Sequence, residues 1–214
     1  MWSIVVAGGA GRRFGRLKQF SVLGGRPVLA WAVEACRTHS DGVVLVLPEA
    51  STPDPHGADA VVAGGATRAD SVRRGLAAVP DDAQVIVVHD AARPLASPAL
   101  FAAVLAAVTD GGADGAVPGV PPSDTIKAVD ESGRVIDTLD RTRLVAVQTP
   151  QAFRAAVLRQ AHAGAASPGA TDDAMLVEAL GGSVQVVPGE PGNLKITDPE
   201  DLQVAERLLA AGRT

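Results

Sequence analysis

The stretch Ser3-Ile-Val-Val-Ala7, followed by the glycine-rich segment Gly8–Lys18, decides the fold class of this chain. Its β-branched residues predict a buried strand, and the glycines after it allow the backbone to turn and to approach a ligand closely. Further along, short β-branched segments alternate with segments rich in Ala and Leu that have helical spacing. This alternation predicts an α/β fold with a mostly parallel sheet flanked by helices.

The same patterns give approximate positions for the elements. Strands are predicted at Ser3–Ala7, Val43–Leu47, Ala60–Ala63, Val85–His89, Gly115–Val120, Leu144–Thr149, Ser183–Val187 and Leu194–Ile196. Helices are predicted at Val28–Arg37, Arg68–Ala78, Pro98–Val108, Ala152–Ala163, Asp172–Leu180 and Pro199–Ala211. Capping residues support several helix starts, such as Thr67 with Asp70 and Asp198 before Pro199.

The length of 214 residues predicts a single domain, residues 1–214. Two β-rich segments, Thr125–Val129 and Arg134–Thr138, interrupt the alternation and are joined by a short connection that contains Gly133. They predict a β-hairpin, which we call the arm (residues 121–142). An isolated hairpin is marginally stable in water, so we expect the arm to pack on its own domain or on a second subunit.

The composition excludes several classes of protein. The longest uncharged stretch, residues 94–109, contains two prolines and is shorter than the ~20 residues of a membrane span. A net charge of −5 and only six aromatic residues disfavour a nucleic-acid surface. The single cysteine, Cys36, rules out an internal disulfide, and its apolar neighbours predict core packing. We expect a soluble, cytoplasmic protein.

The glycine-rich segment is the first candidate site. It fits no P-loop, and Phe14 stands where a dinucleotide fingerprint requires its third glycine. It carries four cations: Arg12, Arg13, Arg16 and Lys18. Such a density suits a polyphosphate, although a solvated basic loop with turn glycines would have the same composition.

The segment Val85–Pro94 is the second candidate site. Asp90 ends an apolar strand, a position from which a carboxylate can hold a divalent cation or a ribose hydroxyl. The alternative is a turn-capping Asp90 with Arg93 as its ion-pair partner. His89 is interpreted as a structural residue. Lys195 interrupts a predicted strand, so it either protects a sheet edge or points into a pocket.

One family shares these segments in the same order. The run Val88-His-Asp-Ala-Ala-Arg-Pro94 is the most specific, and the supporting segments are Arg68–Val72, Asp124–Lys127, Thr149–Gln151 and Leu194–Thr197. From Ile4 to Leu208 the chain resembles the 2-C-methyl-D-erythritol 4-phosphate cytidylyltransferases of the non-mevalonate isoprenoid pathway. The resemblance implies a Rossmann-like nucleotidyltransferase fold with a protruding β-arm that interlocks two subunits into a homodimer.

The reaction that the resemblance implies is transfer of CMP from CTP to methylerythritol phosphate. Pyrophosphate leaves, and Mg²⁺ or another divalent cation assists. By resemblance, Arg13 and Lys18 stabilise charge on the reacting phosphates, whereas Arg141 and Lys195 position methylerythritol phosphate. The expected nucleotide-binding residues are Ala7, Gly8 and Gly9 through their backbone, with Gly65 and Ser71 on the cytosine side.

The remaining residues that the resemblance assigns line the polyol phosphate or the metal-bound triphosphate. They are Asp90, Arg93, Thr125, Thr149 and Thr171. Asp90 is the candidate metal ligand, and Thr125 and Arg141 are expected to act in the partner subunit's site. Ala66 departs from the family pattern, since many members have Asp there, which puts base selectivity in question.

Three alternatives are open on the sequence alone. The first is a sister cytidylyltransferase for ribitol 5-phosphate, against which the paired alanines after Asp90 argue. The second is a nucleotidyltransferase for another base, such as the guanylyl-transferring molybdenum-cofactor enzymes. The third is a nucleotide-binding module without turnover, which would have no need of cations such as Lys18 and Lys195 around both reacting phosphates.

Overall fold

The computed structural model describes residues 1–8, 14–15, 17–49, 54–164 and 171–212. Its strands are β1 (Trp2–Val6), β2 (Val22–Leu23), β3 (Arg26–Pro27), β4 (Gly42–Leu47), β5 (Ala60–Ala63), β6 (Val85–Asp90), β7 (Gly115–Val120), β8 (Lys127–Val129), β9 (Val135–Thr138), β10 (Ala146–Val147), β11 (Gln151–Arg154) and β12 (Val184–Pro188). Its α-helices are α1 (Val28–Thr38), α2 (Arg68–Leu76), α3 (Pro98–Thr109), α4 (Ala155–Ala163), α5 (Asp173–Ala179) and α6 (Pro199–Ala210). Short 3₁₀ turns occur at Lys18–Phe20 and Arg141–Arg143.

The central sheet has the strand order β10-β7-β11-β6-β1-β4-β5, and β12 pairs with the opposite edge of β7, since Gly119 is in register with both Val147 of β10 and Pro188 of β12. The pairings of β1 with β4 and β6, of β4 with β5 and of β12 with β7 are parallel. Those of β11 and β10 are antiparallel. The mostly parallel sheet flanked by helices confirms the predicted fold class.

The two faces of the sheet carry separate apolar layers, because successive side chains along a strand point to opposite sides. Val5 and Leu45 pack toward α1 and α3, whereas the neighbouring Ile4 and Val44 pack toward α2, α4 and α5. Cys36 lies in the first layer with no exposed surface, and burial raises the pKa of its thiol to about 12. Its predicted role in core packing is confirmed.

A third, smaller cluster joins the β2–β3 hairpin to the C-terminal helix. It consists of Phe14, Leu23, Val28, Leu95, Ile196 and Ala205. Leu209 of α6 closes on the hairpin turn at Gly24, where an added Cβ would collide with the leucine Cδ2. Phe14 belongs to the first candidate site and Leu95 follows the second in sequence. The cluster therefore packs residues next to both candidate sites against each other.

Three element predictions are wrong. Residues 152–154, predicted as the start of a helix, belong to β11 (Gln151–Arg154), because this segment inserts between β6 and β7 and buries Phe153 completely. Tertiary pairing here outweighs the helical preference of its alanines. Of the strand predicted over Leu144–Thr149, the structure has only the two residues of β10, Ala146–Val147. The segment Leu194–Ile196 is not a strand, and one backbone bond from Ile196 to the Ala92 carbonyl anchors it.

The predicted hairpin of the arm is present as β8 and β9, paired antiparallel with a register shift. The Asp130 carboxylate accepts bonds from the backbone N–H groups of Ser132 and Arg134, and Gly133 has the positive φ of 81° that this turn needs. The arm's apolar side chains are exposed: Val129 by 54%, Val135 by 54% and Ile136 by 65%. Within the described residues, no helix has the length and apolar character that crossing a membrane requires.

Candidate active site

The candidate site lies where the strand order reverses. From β1 the chain passes through α1 to β4 on one side, and it later returns through α2 to β6 on the other side of β1. The last residue of β1, Val6, is in register with Asp90 of β6, and the Ala91 N–H donates to the Val6 carbonyl at 3.0 Å. Ligands of open α/β sheets bind in the crevice at such a reversal, outside the carboxyl ends of the strands.

Asp90 is held between two cations that come from distant parts of the chain. Its Oδ1 accepts from Arg68 Nε at 3.3 Å, and its Oδ2 accepts from Lys195 Nζ at 2.6 Å. Burial raises the pKa of this carboxyl, but the charges of Arg68 and Lys195 outweigh burial, so the pKa lies well below its usual range. Asp90 is therefore ionised. The alternative ion pair between Asp90 and Arg93 is wrong, because these two other cations occupy the carboxylate.

Arg68 continues the ion pairing away from the cavity. Its Nη1 donates to Asp173 Oδ2 at 2.6 Å, and Asp173 Oδ1 lies 2.9 Å from Nε2 of His162. Asp173 is 1% exposed. Burial raises the pKa of the Asp173 carboxyl, but the charge of Arg68 and the hydrogen bond to His162 lower it by more. The pKa therefore lies below its usual value, and Asp173 is also ionised.

The Thr149 hydroxyl connects the His89 ring to the backbone of Asp90. Burial lowers the pKa of His89 to about 4, so its ring is neutral. Nε2 lies 3.0 Å from the Arg93 carbonyl, which can only accept, so Nε2 carries the proton. Nδ1 then accepts from the Thr149 hydroxyl at 3.0 Å, and Thr149 Oγ1 accepts from the Asp90 N–H at 3.0 Å. The structure supports the structural interpretation of His89.

An open cavity of about 200 Å³ lies in front of these residues. Its lining consists of Arg68, Asp90, Arg93, Val147, Gln148, Thr149, Gln151, Thr171, Asp172 and Lys195. The structure thus brings together the predicted residues Asp90, Arg93, Thr149, Thr171 and Lys195. The Arg93 guanidinium spans the wall, donating to the Asn193 carbonyl at 2.7 Å and the Val147 carbonyl at 3.4 Å.

The expected nucleotide side is formed by Ala7, Gly8, Gly65 and Ser71, which the structure also brings together. Ser71 Oγ accepts from the Gly65 N–H at 3.1 Å and donates to the Thr67 carbonyl at 3.0 Å. A Cβ on Gly8 would lie 3.1 Å from the same Oγ. The serine side chain thus lies between the loop after β1 and the loop after β5, and it leaves little space for a side chain at Gly8.

Lys18 is the last residue of the glycine-rich segment and the first residue of the 3₁₀ turn Lys18–Phe20. Its neighbour Gln19 fixes this turn to the end of β1, since Gln19 Nε2 donates to the Ala7 carbonyl at 2.8 Å. The turn therefore places Lys18 near the carboxyl end of β1. Gly9 and Arg13, the other predicted residues of this segment, lie outside the described residues, as do Arg12 and Arg16.

Thr125 and Arg141 do not line the cavity of their own chain. Thr125 is exposed before β8, and Arg141 begins the 3₁₀ turn after β9, where its guanidinium donates to the Ser123 carbonyl. The arm therefore carries the two residues that the structure separates from the other candidate residues.

Several cavity residues were given no site role from the sequence: Arg68, Val147, Gln148, Gln151 and Asp172. Arg68 stands at the first position of a capped helix after a glycine loop, a signal for a residue near an anion. Its partners are 22 and 105 residues away in sequence, so spacing does not reveal the pairing. Gln151 is placed by Asp172, whose Oδ2 accepts from Gln151 Nε2 at 3.1 Å.

Comparison with known proteins decides the family. The family model for 2-C-methyl-D-erythritol 4-phosphate cytidylyltransferase (IspD) matches residues 1–211. The chain belongs to this family. It is 43% identical to the enzyme of that name from Synechococcus sp. (strain CC9902), with all of both chains covered. It is 48% identical to the bifunctional enzyme IspD/IspF of Anaeromyxobacter dehalogenans, covering 97% of this chain and 56% of that enzyme.

A solved structure supports the same assignment. The crystal structure of 2-C-methyl-D-erythritol 4-phosphate cytidylyltransferase from Thermus thermophilus matches with a TM-score of 0.81 and 38% identity, covering 97% of this chain and 98% of that chain. Membership confirms the resemblance, the nucleotidyltransferase fold and the cytidylyltransferase class predicted from the sequence. It decides against the ribitol, guanylyl and non-catalytic alternatives.

Proposed function

We propose that this chain transfers CMP from CTP to 2-C-methyl-D-erythritol 4-phosphate, giving 4-diphosphocytidyl-2-C-methyl-D-erythritol and pyrophosphate. The observation that supports it most strongly is the cavity at the β1–β6 reversal, whose wall carries Arg68, Arg93 and Lys195 around one central carboxylate. A phosphate group can bind among such cations, and the carboxyl end of β1, where the glycine-rich segment begins, lies at the same edge of the sheet.

The reaction requires the protein to place the two substrates and to stabilise the negative charge that develops on the phosphates. A phosphate oxygen of methylerythritol phosphate attacks the α-phosphorus of CTP, a new P–O bond forms, and the bond to the β-phosphate oxygen breaks. The electron pair leaves with pyrophosphate, so no covalent enzyme intermediate forms. Cations that face the developing negative charge lower the barrier, the role proposed for Lys18 and Arg13.

Lys195 and Arg141 are proposed to place the attacking phosphate. Lys195 lines the cavity and is 45% exposed, so its ammonium can reach a ligand while it contacts Asp90. Arg141 lies on the arm and would enter the cavity of a second subunit. We therefore propose a homodimer that exchanges arms, which is supported by the exposed apolar side chains of β8 and β9.

We also propose that Mg²⁺ or another divalent cation arrives on the triphosphate. The described residues contain no cluster of three or more His, Cys, Asp or Glu side chains that could form a metal site of their own. The cavity offers the carboxylates Asp90 and Asp172, and Mg²⁺ in nucleotide sites needs only one or two beside the phosphates. Asp172 caps α5, so Asp90 is the proposed ligand, and the ion would supply charge neutralisation on the triphosphate.

The test is release of pyrophosphate by the purified protein, with product mass as a second readout. CTP with methylerythritol phosphate should give pyrophosphate and the cytidylyl product. CTP with ribitol 5-phosphate and GTP with methylerythritol phosphate should each be at least a hundredfold slower. UTP should be tested as a further nucleotide, because Ala66 replaces the Asp of many members beside the proposed cytosine site. Equal or faster turnover of ribitol 5-phosphate, or no turnover of methylerythritol phosphate, would overturn the proposal.

A further inference from the structure

A row of alternating charges runs from the cavity into the core behind it. Its charged members are Lys195, Asp90, Arg68 and Asp173, and the His162 ring contacts Asp173 at the inner end. We call these five residues the charge row. They come from four separate elements and from the loop before α6, so only the folded chain assembles them.

Asp173 is the member that a purely structural account explains least. Its carboxylate is 1% exposed, and burying an ion pair is often no more stabilising than packing apolar groups of the same volume. The position does have one clear effect. Asp173 accepts from Nη1 of Arg68 while Asp90 accepts from Nε, so two carboxylates fix the planar guanidinium in one orientation.

The fixed guanidinium of Arg68 in turn holds Asp90, which lines the cavity. Arg68 contacts Oδ1 of Asp90, which leaves Oδ2 to accept from Lys195 at 2.6 Å. A lysine side chain that is 45% exposed has a flexible four-carbon stem, and holding it in one geometry costs rotamer entropy. A fixed carboxylate beside its ammonium reduces the number of positions that this stem can take.

We propose that Asp173 and Arg68 are positioning residues, which act through Asp90 to hold the Lys195 ammonium in the cavity. Among the described residues, Asp173 is not part of the cavity lining, and its ion pair with Arg68 connects it to the cavity along the charge row. The inference rests on the proposed function, in which Lys195 places methylerythritol phosphate.

The experiment is a double-mutant cycle that combines Asp173→Asn with Lys195→Ala. The measured quantity is kcat/KM for methylerythritol phosphate at saturating CTP. With Lys195 present, Asp173→Asn should lower kcat/KM about tenfold and change the KM for CTP less than about twofold. With Lys195→Ala, the same change should cost less than about twofold, because the residue it positions is gone.

A matched control removes a carboxylate that lies outside the charge row. Asp114 accepts from the Ser183 N–H at 2.9 Å at the start of β12, and Asp114→Asn should leave kcat/KM unchanged in both backgrounds. If Asp173→Asn does not fold, Arg68→Lys takes its place in the cycle. It keeps the charge but cannot bridge two carboxylates, so the same tenfold and twofold effects are expected.

Two failures are distinguishable. Equal losses from Asp173→Asn with and without Lys195 would show a general structural role and overturn the positioning proposal, while the wild-type reaction stands. A wild-type protein that does not turn over CTP and methylerythritol phosphate would overturn the proposed function itself, whatever the variants do.

Discussion

Around the cavity, charged side chains have partners from distant parts of the same chain, whereas the arm leaves its apolar side chains without cover. Arg68 and Lys195 both contact Asp90, which is only 8% exposed. In the arm, Val135 and Ile136 are more than half exposed. The difference indicates that one chain completes the cavity wall around Asp90, whereas the exposed side chains of the arm are the part of the molecule on which the proposed dimer depends. This comparison makes four predictions, from the largest effect to the smallest.

The largest effect tests whether the arm completes a second subunit's cavity. Arg141→Ala and Lys18→Ala should each lower turnover at least a hundredfold, since each removes a cation from the reacting phosphates. When the two chains are refolded together, about half of the dimers are mixed, and each has one intact site of two. Pyrophosphate release should recover to roughly a quarter of wild type.

A matched pair controls this complementation. Lys195 lies in the same cavity wall as Asp90, so Lys18→Ala mixed with Lys195→Ala leaves no intact site, and no activity should return. If mixed Arg141→Ala and Lys18→Ala dimers form without recovery, both residues serve one chain's site, and the contrast between cavity and arm would not hold.

The second prediction tests the centre of the cavity. Asp90→Asn keeps the size of the side chain but removes the charge that Arg68 and Lys195 share, so we expect turnover to fall tenfold or more. If Asp90 holds the metal of the triphosphate, raised Mg²⁺ should restore part of the loss. If Asp90→Asn has unchanged turnover at limiting Mg²⁺, Asp90 does not bind the metal and has only a structural role in the turn. The measurement is initial rate against Mg²⁺ concentration.

The third prediction concerns acid stability. The pKa values of Asp90 and Asp173 are lowered in the folded state, so the stability they contribute is present above their unfolded pKa of about 4 and is lost as the pH falls below it. The free energy of unfolding should therefore decrease as the pH is lowered from 5 to 2. Urea unfolding at several pH values measures it.

Variants separate the two regions in the same experiment. Asp173→Asn should flatten the acid dependence, because the buried carboxylate that must be protonated is gone. Asp130→Asn, in the turn of the arm, should change it much less, because solvent surrounds that carboxylate. An equal change from both variants would show that burial does not distinguish cavity from arm.

The smallest effect on folding belongs to the arm surface. Ile136→Ser should change the unfolding free energy of a single chain by less than about 0.5 kcal/mol, since this side chain is already 65% exposed. If arms are exchanged between subunits, the same variant should weaken the dimer, which sedimentation at falling protein concentration would detect. A dimer of unchanged affinity would place the subunit contact elsewhere.

The sequence by itself determined the alternation of strands and helices, the core position of Cys36 and the hairpin of the arm. These features depend on local signals: apolar periodicity, capping residues such as Thr67, and a turn glycine at position 133. Motif order also identified the family and half of the cavity residues. Such signals lie within short windows of sequence, so they can be interpreted without the fold.

Only the tertiary structure decided the partners of Asp90 and the strand at residues 151–154. Arg68 and Lys195 lie 22 and 105 residues from Asp90, and Arg68 reaches Asp173 across another 105. Electrostatic pairing and sheet insertion depend on which segments the packed core brings into contact. No local pattern contains that information, because the energy of a contact between remote residues exists only after the chain has folded.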